Sequence, residues 1–171
     1  MTWPPPFTKN GKDINVIIET PKGNGNKYSY DAANGLYKLR KVLPEGMVFP
    51  YHFGFIPGTQ GADGDPLDVL LMMDEPAYPG ILVESRILGI IVASQKESGK
   101  TVRNDRIIAT SKISKRYARI RRLKDIEPYR LDEIIQFFIN YNAIEGRKFA
   151  PKSFGSASRA LEIIRRQLHP E

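Results

Sequence analysis

The chain lacks several residue types and patterns, and each absence excludes a class of protein. No cysteine occurs among the 171 residues, which excludes disulfides, thiolate metal sites and cysteine nucleophiles. The longest apolar runs, residues 69–73 and 87–93, have the length of strands and are too short for a membrane-spanning helix. The opening MTWPPPFTKN lacks the apolar segment of a signal peptide. We therefore expect a cytoplasmic protein without a membrane partner.

Positive charge is concentrated in one part of the chain. The net charge is +7, and residues 112–130 contain eight basic and two acidic side chains, so this segment carries +6 of it. Such a segment is typical of a solvated surface, with nucleic-acid binding as the alternative. Tyr117 and Tyr129 are the only aromatic residues in this segment. It therefore has few of the rings on which single-stranded bases stack. A nucleic-acid partner is the weaker interpretation.

Short apolar stretches separated by Gly/Pro turns predict a closed antiparallel β-barrel over residues 14–110. Three consecutive prolines in residues 1–12 indicate an extended N-terminal arm, and 1–171 reads as a single domain. The predicted strands lie at residues 14–18, 28–30, 37–39, 69–73, 81–91 and 107–109.

The last third of the chain changes to helical periodicity. Apolar residues at 131, 134, 135, 138 and 139 form one stripe, Pro128 suits the first turn, and Gly146 lies just past the end. Ser156 is expected to cap a second helix whose apolar face runs from Ala157 to Leu168. Residues 113–126 are expected to be irregular or a short helix. The pattern predicts a barrel followed by two helices packed against it.

Three carboxylates are crowded where a glycine-rich loop meets an apolar strand, in the sequence DGDPLD. Asp63 and Asp65 are two residues apart and face the same side of an extended chain, and Asp68 leads into the strand. Such crowding costs free energy unless a cation neutralises it, and Mg²⁺ prefers carboxylate, water and phosphate oxygens. An Asp-rich turn that caps its own amides is the alternative. The third carboxylate favours a metal site.

The segment DGDPLDVL resembles the signature of the soluble, magnesium-dependent inorganic pyrophosphatases, D-x-D-P-x-D-V-L. The resemblance extends over about residues 14–150, through NVIIETPKGNGNKYSYD, MVFPYHFGFIPGT and FFINYNAIEGRK. It implies a mainly β fold with α, an OB-like closed antiparallel β-barrel with two flanking C-terminal helices. It also implies a homo-oligomer (a hexamer or smaller) and Mg²⁺-dependent hydrolysis of inorganic diphosphate to two phosphates.

The same resemblance implies roles for individual residues. Asp65 would accept the proton of the attacking water, while Lys27 and Tyr141 would hold phosphate oxygens. Arg106 and Lys41 stand at the positions of a catalytic lysine and a catalytic arginine. The implied metal ligands are Asp63, Asp65, Asp68, Glu19 and Asn104.

The resemblance is incomplete within the implied site. Neutral residues stand at three acidic positions of the family, namely Ser29, Gln95 and Asn104. Phe49 and Phe53 stand at two tyrosine positions, and Asn142 stands at a lysine position. An asparagine keeps an oxygen ligand but loses a charge, so fewer Mg²⁺ ions are held. We expect reduced activity. The alternatives are a different phosphoanhydride substrate, or a relative that binds phosphate or nucleotide with little or no hydrolysis.

Two local ambiguities remain open at this point. A shift of one residue in the alignment would place Asp105 or Glu97, instead of Asn104 or Lys96, in the site. His52 is interpreted as a hydrogen-bonded barrel residue, with a metal-binding or acid–base role as the alternative.

Overall fold

The computed structural model describes residues 3–168 and is mainly β with two α-helices. His169, for which we expect no role, lies outside the described residues. In chain order the elements are β1 (Ile14–Thr20), β2 (Asn26–Asp31), β3 (Leu36–Val42), β4 (His52–Phe55), β5 (Asp68–Met72), β6 (Leu82–Glu97), β7 (Lys100–Arg103), β8 (Arg106–Ser111), a 3₁₀ turn (Leu123–Asp125), α1 (Pro128–Ala143), β9 (Lys148–Ser156) and α2 (Ala157–Arg166).

Five strands close the barrel in the order β1–β4–β5–β8–β6, and β6 pairs back to β1. The predicted closed, OB-like barrel is thereby confirmed. One pairing departs from the prediction, because β5 and β8 are parallel, with Val69 opposite Ile107. The reason is topological: in a closed ring of five strands the directions cannot alternate throughout, and since the other four pairings are antiparallel, β5 and β8 must be parallel.

The sequence pattern missed three strands and underestimated a fourth. Strand β6 continues to Glu97 and pairs along its second half with β9, whose exposed residues and Pro151 do not alternate as a half-buried strand does. Strands β4 and β7 have only four residues each, too few for a periodicity to emerge. The long β6 therefore belongs both to the barrel and to the surface that carries α1.

Alternating side chains of the barrel strands enter two apolar clusters. In β5, Leu70 and Met72 join the cluster under α1, where Phe138 is buried, whereas Val69 and Leu71 join the cluster that includes α2. A strand that is buried on both faces requires a continuous apolar run, which residues 69–72 provide. Burial of about 25 cal/mol per Å² of apolar surface stabilises both clusters. The start of β5 is consequently held in place from both sides.

Both predicted helices are present. Pro128 is the first residue of α1, and the Ser156 hydroxyl accepts a hydrogen bond from the Arg159 amide at the start of α2. Helix α2 ends before Leu168, which instead forms an isolated bridge with Thr59. Residues 113–126 are irregular except for the 3₁₀ turn, as expected. Within residues 3–168, no helix is both long and apolar enough to cross a membrane.

The N-terminal arm packs on its own chain. Trp3 makes edge-to-face contacts with Tyr30 and Phe55, at ring-centroid distances of 4.6 and 5.5 Å. Phe7 forms an isolated bridge with Ile14 of β1. The described part of the arm is thereby tied to the barrel by aromatic contacts.

A prediction follows from the close approach of β4 to β1. A Cβ atom at Gly54 would lie 2.2 Å from the Ile17 carbonyl oxygen, a distance that only a backbone shift relieves. We expect Gly54→Ala to lower the free energy of unfolding by about 2 kcal/mol or more, measured by urea denaturation. Gly25→Ala is the control, because its Cβ would be an ordinary 3.6 Å from the nearest atom. Equal stability of the two variants would contradict the packing described here.

Candidate active site

The acidic loop places its three aspartates at the start of β5. Asp63 and Asp65 lie in an exposed turn that is closed by a hydrogen bond from the Gly61 amide to the Asp65 carbonyl (2.7 Å). One oxygen of Asp63 accepts the Asp65 amide (3.2 Å), as expected of a self-capping turn. Asp68 is the first residue of β5 and is partly enclosed. Both the turn chemistry and the crowding expected from the sequence are therefore present.

A small cavity joins this loop to the turn between β7 and β8. Its volume is about 20 Å³, roughly the room that one water or ion needs. Side chains of both segments line it, including those of Asp63, Asp68, Asn104 and Asp105. The fold thus brings three of the predicted metal ligands to one place.

Arg106, the first residue of β8, joins Asp68 to Asn104. Its Nη1 atom lies 2.7 Å from Asp68 Oδ2 and also donates to Asn104 Oδ1. The guanidinium is buried and lies between the rings of Phe53 and Phe138, 5.9 and 5.1 Å from their centroids. Planar cations stack well on aromatic faces. Arg106 is therefore fixed at the edge of the acidic group.

In the turn before β8, Asn104 and Asp105 make different contacts. Asn104 Nδ2 donates to Gln95 Oε1 (2.8 Å), so the two neutral positions face each other. Both carboxylate oxygens of Asp105 are already engaged, by the Ala93 amide (3.1 Å) and by Arg103 Nε (2.7 Å). Because Asp105 fastens this turn to β6, Asn104 is the residue that faces Arg106.

Glu19, at the end of β1, shares the electrostatic field of the aspartates. Its Oε1 accepts the Tyr30 amide (2.8 Å). Burial raises the pKa of Glu19 to about 7, and repulsion from Asp68 and Asp65 adds to the rise. Burial likewise raises the pKa of Asp68, against the attraction of Arg106 and Lys27. These carboxyl groups therefore destabilise one another's ionised forms, and a cation would relieve the repulsion.

The geometry fits a divalent cation that is held by few protein ligands. Within residues 3–168, no three carboxylate or imidazole side chains converge as a preformed metal cage. Mg²⁺ commonly binds one or two carboxylates and keeps water and substrate phosphate oxygens as its other ligands. Asp63, Asp65, Asp68 and Glu19 supply oxygens of that kind. The predicted ligand Asn104 differs from these carboxylates, because its Oδ1 atom already accepts a hydrogen bond from Arg106.

A cationic side lies opposite the acidic one, on the hairpin β2–β3. Lys27 and Lys41 are paired in register, and their Nζ atoms lie 5.6 and 5.3 Å from the centroid of the Tyr141 ring on α1. Tyr141 is buried beside them. Two ammonium groups and one hydroxyl suit the oxygens of a phosphate.

The positions that depart from the family pattern have structural roles. Phe49 and Phe53 pack against each other, 5.8 Å between centroids, in the cluster under α1. The Ser29 hydroxyl accepts from Arg40 Nε (2.8 Å). Asn142 is buried and donates to the Phe138 carbonyl (2.8 Å). The Asn142 side chain is therefore engaged by its own helix and does not replace the missing lysine.

Sequence reasoning missed Glu145, which forms an ion pair with Lys41. Arg147 Nη1 lies 3.3 Å from the second oxygen of Glu145. Glu145 follows the end of α1, where helical spacing no longer predicts neighbours, so no signal in the sequence placed it against β3. An anion that reaches Lys41 must compete with this carboxylate.

His52 lies in the barrel wall, as interpreted from the sequence. Its side chain is fully buried, and Nε2 accepts a hydrogen bond from the Ala77 amide (3.0 Å). Burial lowers the pKa of His52 to about 4. A neutral, hydrogen-bonded imidazole in this position supports the structural role.

An OB-type barrel with carboxylates facing lysines and an arginine is the arrangement of a metal-dependent hydrolase of phosphoanhydrides. The chain belongs to the soluble inorganic pyrophosphatase family, since the model of that family, described as inorganic pyrophosphatase, matches residues 16–170. Over 153 residues it is 35% identical to an inorganic pyrophosphatase of Halalkalibacterium halodurans, covering 90% of this chain and 91% of the relative. It is 38% identical over 153 residues to a soluble inorganic pyrophosphatase of Oryza sativa subsp. indica, covering 89% and 69%.

Solved structures agree with this assignment. The crystal structure of inorganic pyrophosphatase from Thermus thermophilus superposes with a TM-score of 0.86 at 32% identity, covering 95% of this chain and 92% of that one. An inorganic pyrophosphatase from Coxiella burnetii gives a TM-score of 0.82 at 33% identity, covering 91% and 93%. The resemblance noted in the sequence is confirmed at the level of fold and family.

The lowered pKa of His52 predicts a pH dependence of stability. His52 takes up a proton near pH 6.5 in the unfolded chain and only near pH 4 in the folded chain. Its contribution to the free energy of unfolding is therefore fully present above pH 6.5 and is lost as the pH falls towards 4. The full loss is about 3 kcal/mol. We expect His52→Gln to remove this loss, measured as the difference in unfolding free energy between the two proteins at pH 4.5 and pH 7.5. Parallel pH profiles would show that His52 does not carry the effect.

Proposed function

We propose that this chain hydrolyses inorganic diphosphate to two phosphates with Mg²⁺ as its divalent cation. Family membership supports the reaction. The position of Lys27 supports the location of the reaction. This lysine approaches the Tyr141 ring, and its charge opposes the rise in the pKa of Glu19 and of Asp68. It therefore stands between the carboxylates suited to a metal and the groups suited to a phosphate.

The residues divide into two working sets. The carboxylates would hold the cations, and a bound divalent ion supplies Lewis-acid polarisation and a lowered pKa of the attacking water. Asp65, exposed at the loop, would accept the proton of that water. The phosphate-binding set would orient diphosphate and stabilise the charge of the leaving phosphate. The first set is Asp63, Asp65, Asp68 and Glu19, and the second is Lys27, Lys41, Arg106 and Tyr141.

Two features support a reduced rate. Gln95 and Asn104 are neutral and hydrogen-bonded to each other, so they add no charge with which to hold further cations. Lys41 is paired with Glu145, and substrate binding would have to exchange this carboxylate for a phosphate.

The assembly and location of the protein remain predictions. Leu36, Leu39 and Val42 of β3 are 66%, 51% and 72% exposed, and exposed apolar side chains on one strand support a homo-oligomer. The size, a hexamer or smaller, rests on the family resemblance alone. The cytoplasmic location rests on the sequence alone.

Two alternative functions remain: a relative that binds phosphate or nucleotide without hydrolysis, and a nucleic-acid-binding barrel. Mg²⁺-dependent phosphate release supports the enzyme, whereas a salt-sensitive gel shift supports the nucleic-acid binder.

Asp68 provides the first test of the metal side. We expect the wild type to release phosphate from diphosphate only with Mg²⁺, and Asp68→Asn to lower this rate about 100-fold, because a charge close to the reacting phosphoryl group is lost. Steady-state phosphate release measures this rate. Calorimetry measures the Mg²⁺ affinity, which we expect Asp68→Asn to weaken. Asp132→Asn, on the exposed face of α1, is the control. Unchanged Mg²⁺ affinity in a folded Asp68→Asn protein would remove Asp68 from the site.

Lys27 and Tyr141 test the phosphate side. Each contact between a charged group and a hydrogen-bonding partner contributes roughly 1.5–3 kcal/mol, so Lys27→Met is expected to weaken binding of the non-hydrolysable analogue imidodiphosphate by at least tenfold. Tyr141→Phe should show a smaller loss, since only a neutral hydroxyl is removed. Calorimetry with the analogue measures both, and Lys38→Met, exposed on β3, is the control. Wild-type affinity in both variants would place the phosphate site elsewhere.

A further inference from the structure

Arg106 gathers oxygens in the way that a bound cation does. Its Nη1 atom contacts Asp68 Oδ2 at 2.7 Å, the Asp105 carbonyl oxygen at 3.0 Å and Asn104 Oδ1. A carboxylate, an amide and a main-chain carbonyl are the oxygen types that hard divalent cations take as ligands. A protein nitrogen therefore occupies the space between the Asp68 and Asn104 side chains.

The guanidinium is enclosed by aromatic rings in that position. Arg106 is 4% exposed, and its Cζ atom lies 5.1 Å from the ring centroid of Phe138 and 5.8 and 5.9 Å from those of Phe149 and Phe53. Contacts of this kind stabilise the cation beside Asp68. A guanidinium stays protonated at any pH at which the protein is folded, so the positive charge is permanent.

The anions next to Arg106 are already paired with arginines. Asn104 is neutral, and its Nδ2 donates to the equally neutral Gln95, an orientation that directs Oδ1 towards Arg106. The carboxylate of Asp105 is engaged by Arg103 and the Ala93 amide, and Asp68 is paired with Arg106 itself. A divalent ion on Asn104 Oδ1 would therefore meet the guanidinium at close range and would compete with an arginine for either carboxylate.

We propose that the Arg106 guanidinium serves as a permanent internal cation between Asp68 and Asn104, in the place of a divalent ion that these two side chains would otherwise share. Asn104 is then a positioning residue for Arg106 and not a metal ligand. Asp68 Oδ1 stays free to share an ion with Asp63 or Asp65. The inference rests on the proposed function only for the assignment of Asp68 to the metal side.

The test counts the Mn²⁺ ions bound per chain, without diphosphate, by equilibrium dialysis and calorimetry. We expect Asn104→Asp to bind the same number as the wild type, because the new carboxylate pairs with Arg106. Adding Arg106→Met to Asn104→Asp leaves two carboxylates without their cation, and we expect one additional Mn²⁺ per chain. Circular dichroism verifies that each variant is folded.

A matched control separates occupancy of the position from net charge. Arg103→Met combined with Asn104→Asp changes the net charge by the same amount as the Arg106 double variant, but it removes an arginine that contacts Asp105 and not Asp68. We expect no additional ion in this control. An additional ion in Asn104→Asp alone, or in the Arg103 control, would overturn the inference.

A crystal of the wild-type protein soaked in Mn²⁺ gives a second readout that needs no folded variant. We expect no anomalous peak within coordination distance of Asn104 Oδ1, and a peak shared by Asn104 and Asp68 would overturn the inference. The wild type also tests the proposed function separately. Bound Mn²⁺ with a peak at Asn104 refutes the inference alone, whereas no Mn²⁺ binding by any variant refutes the metal centre and the inference with it.

Discussion

The ion pair between Asp68 and Arg106 is the contact on which the rest of the site depends. It joins the first residues of β5 and β8, the two strands that run parallel in the barrel. A buried ion pair costs desolvation and is retained where both charges are needed. Here it holds a carboxylate at the edge of the acidic loop and a guanidinium under α1. Breaking it would leave a charge without its partner in the barrel wall.

Around this ion pair, the molecule balances its charges mostly with its own side chains. Gln95 and Asn104 are uncharged, Lys41 is paired with Glu145, and Arg106 is shared among three oxygens. The unbalanced negative charge lies on the loop side, where burial and mutual repulsion raise the pKa of Glu19. A divalent cation bound on that side would relieve this repulsion.

Local patterns in the sequence predicted the parts of the fold that have a clear period. The stripe of α1, the cap of α2 at Ser156 and the apolar run of β5 each required only neighbouring residues. Strands β4 and β7 were missed because they have only four residues each, and β9 was missed because it is mostly exposed and gains stability from pairing with a distant part of β6. The parallel β5–β8 pairing was missed for the same reason, since register across the barrel is not a local property.

The sequence alone determined the family and the acidic loop, and it predicted Lys27 and Tyr141 as the residues on which a phosphate site would centre. These are encoded by residue identity and short spacing, which survive without knowledge of the fold. Only the tertiary structure decided that Asn104 faces Arg106 and that Glu145 engages Lys41. Such contacts depend on distance and orientation between separate elements. Hydrogen bonds and ion pairs form only at short distances and suitable angles, so no spacing along the chain predicts them.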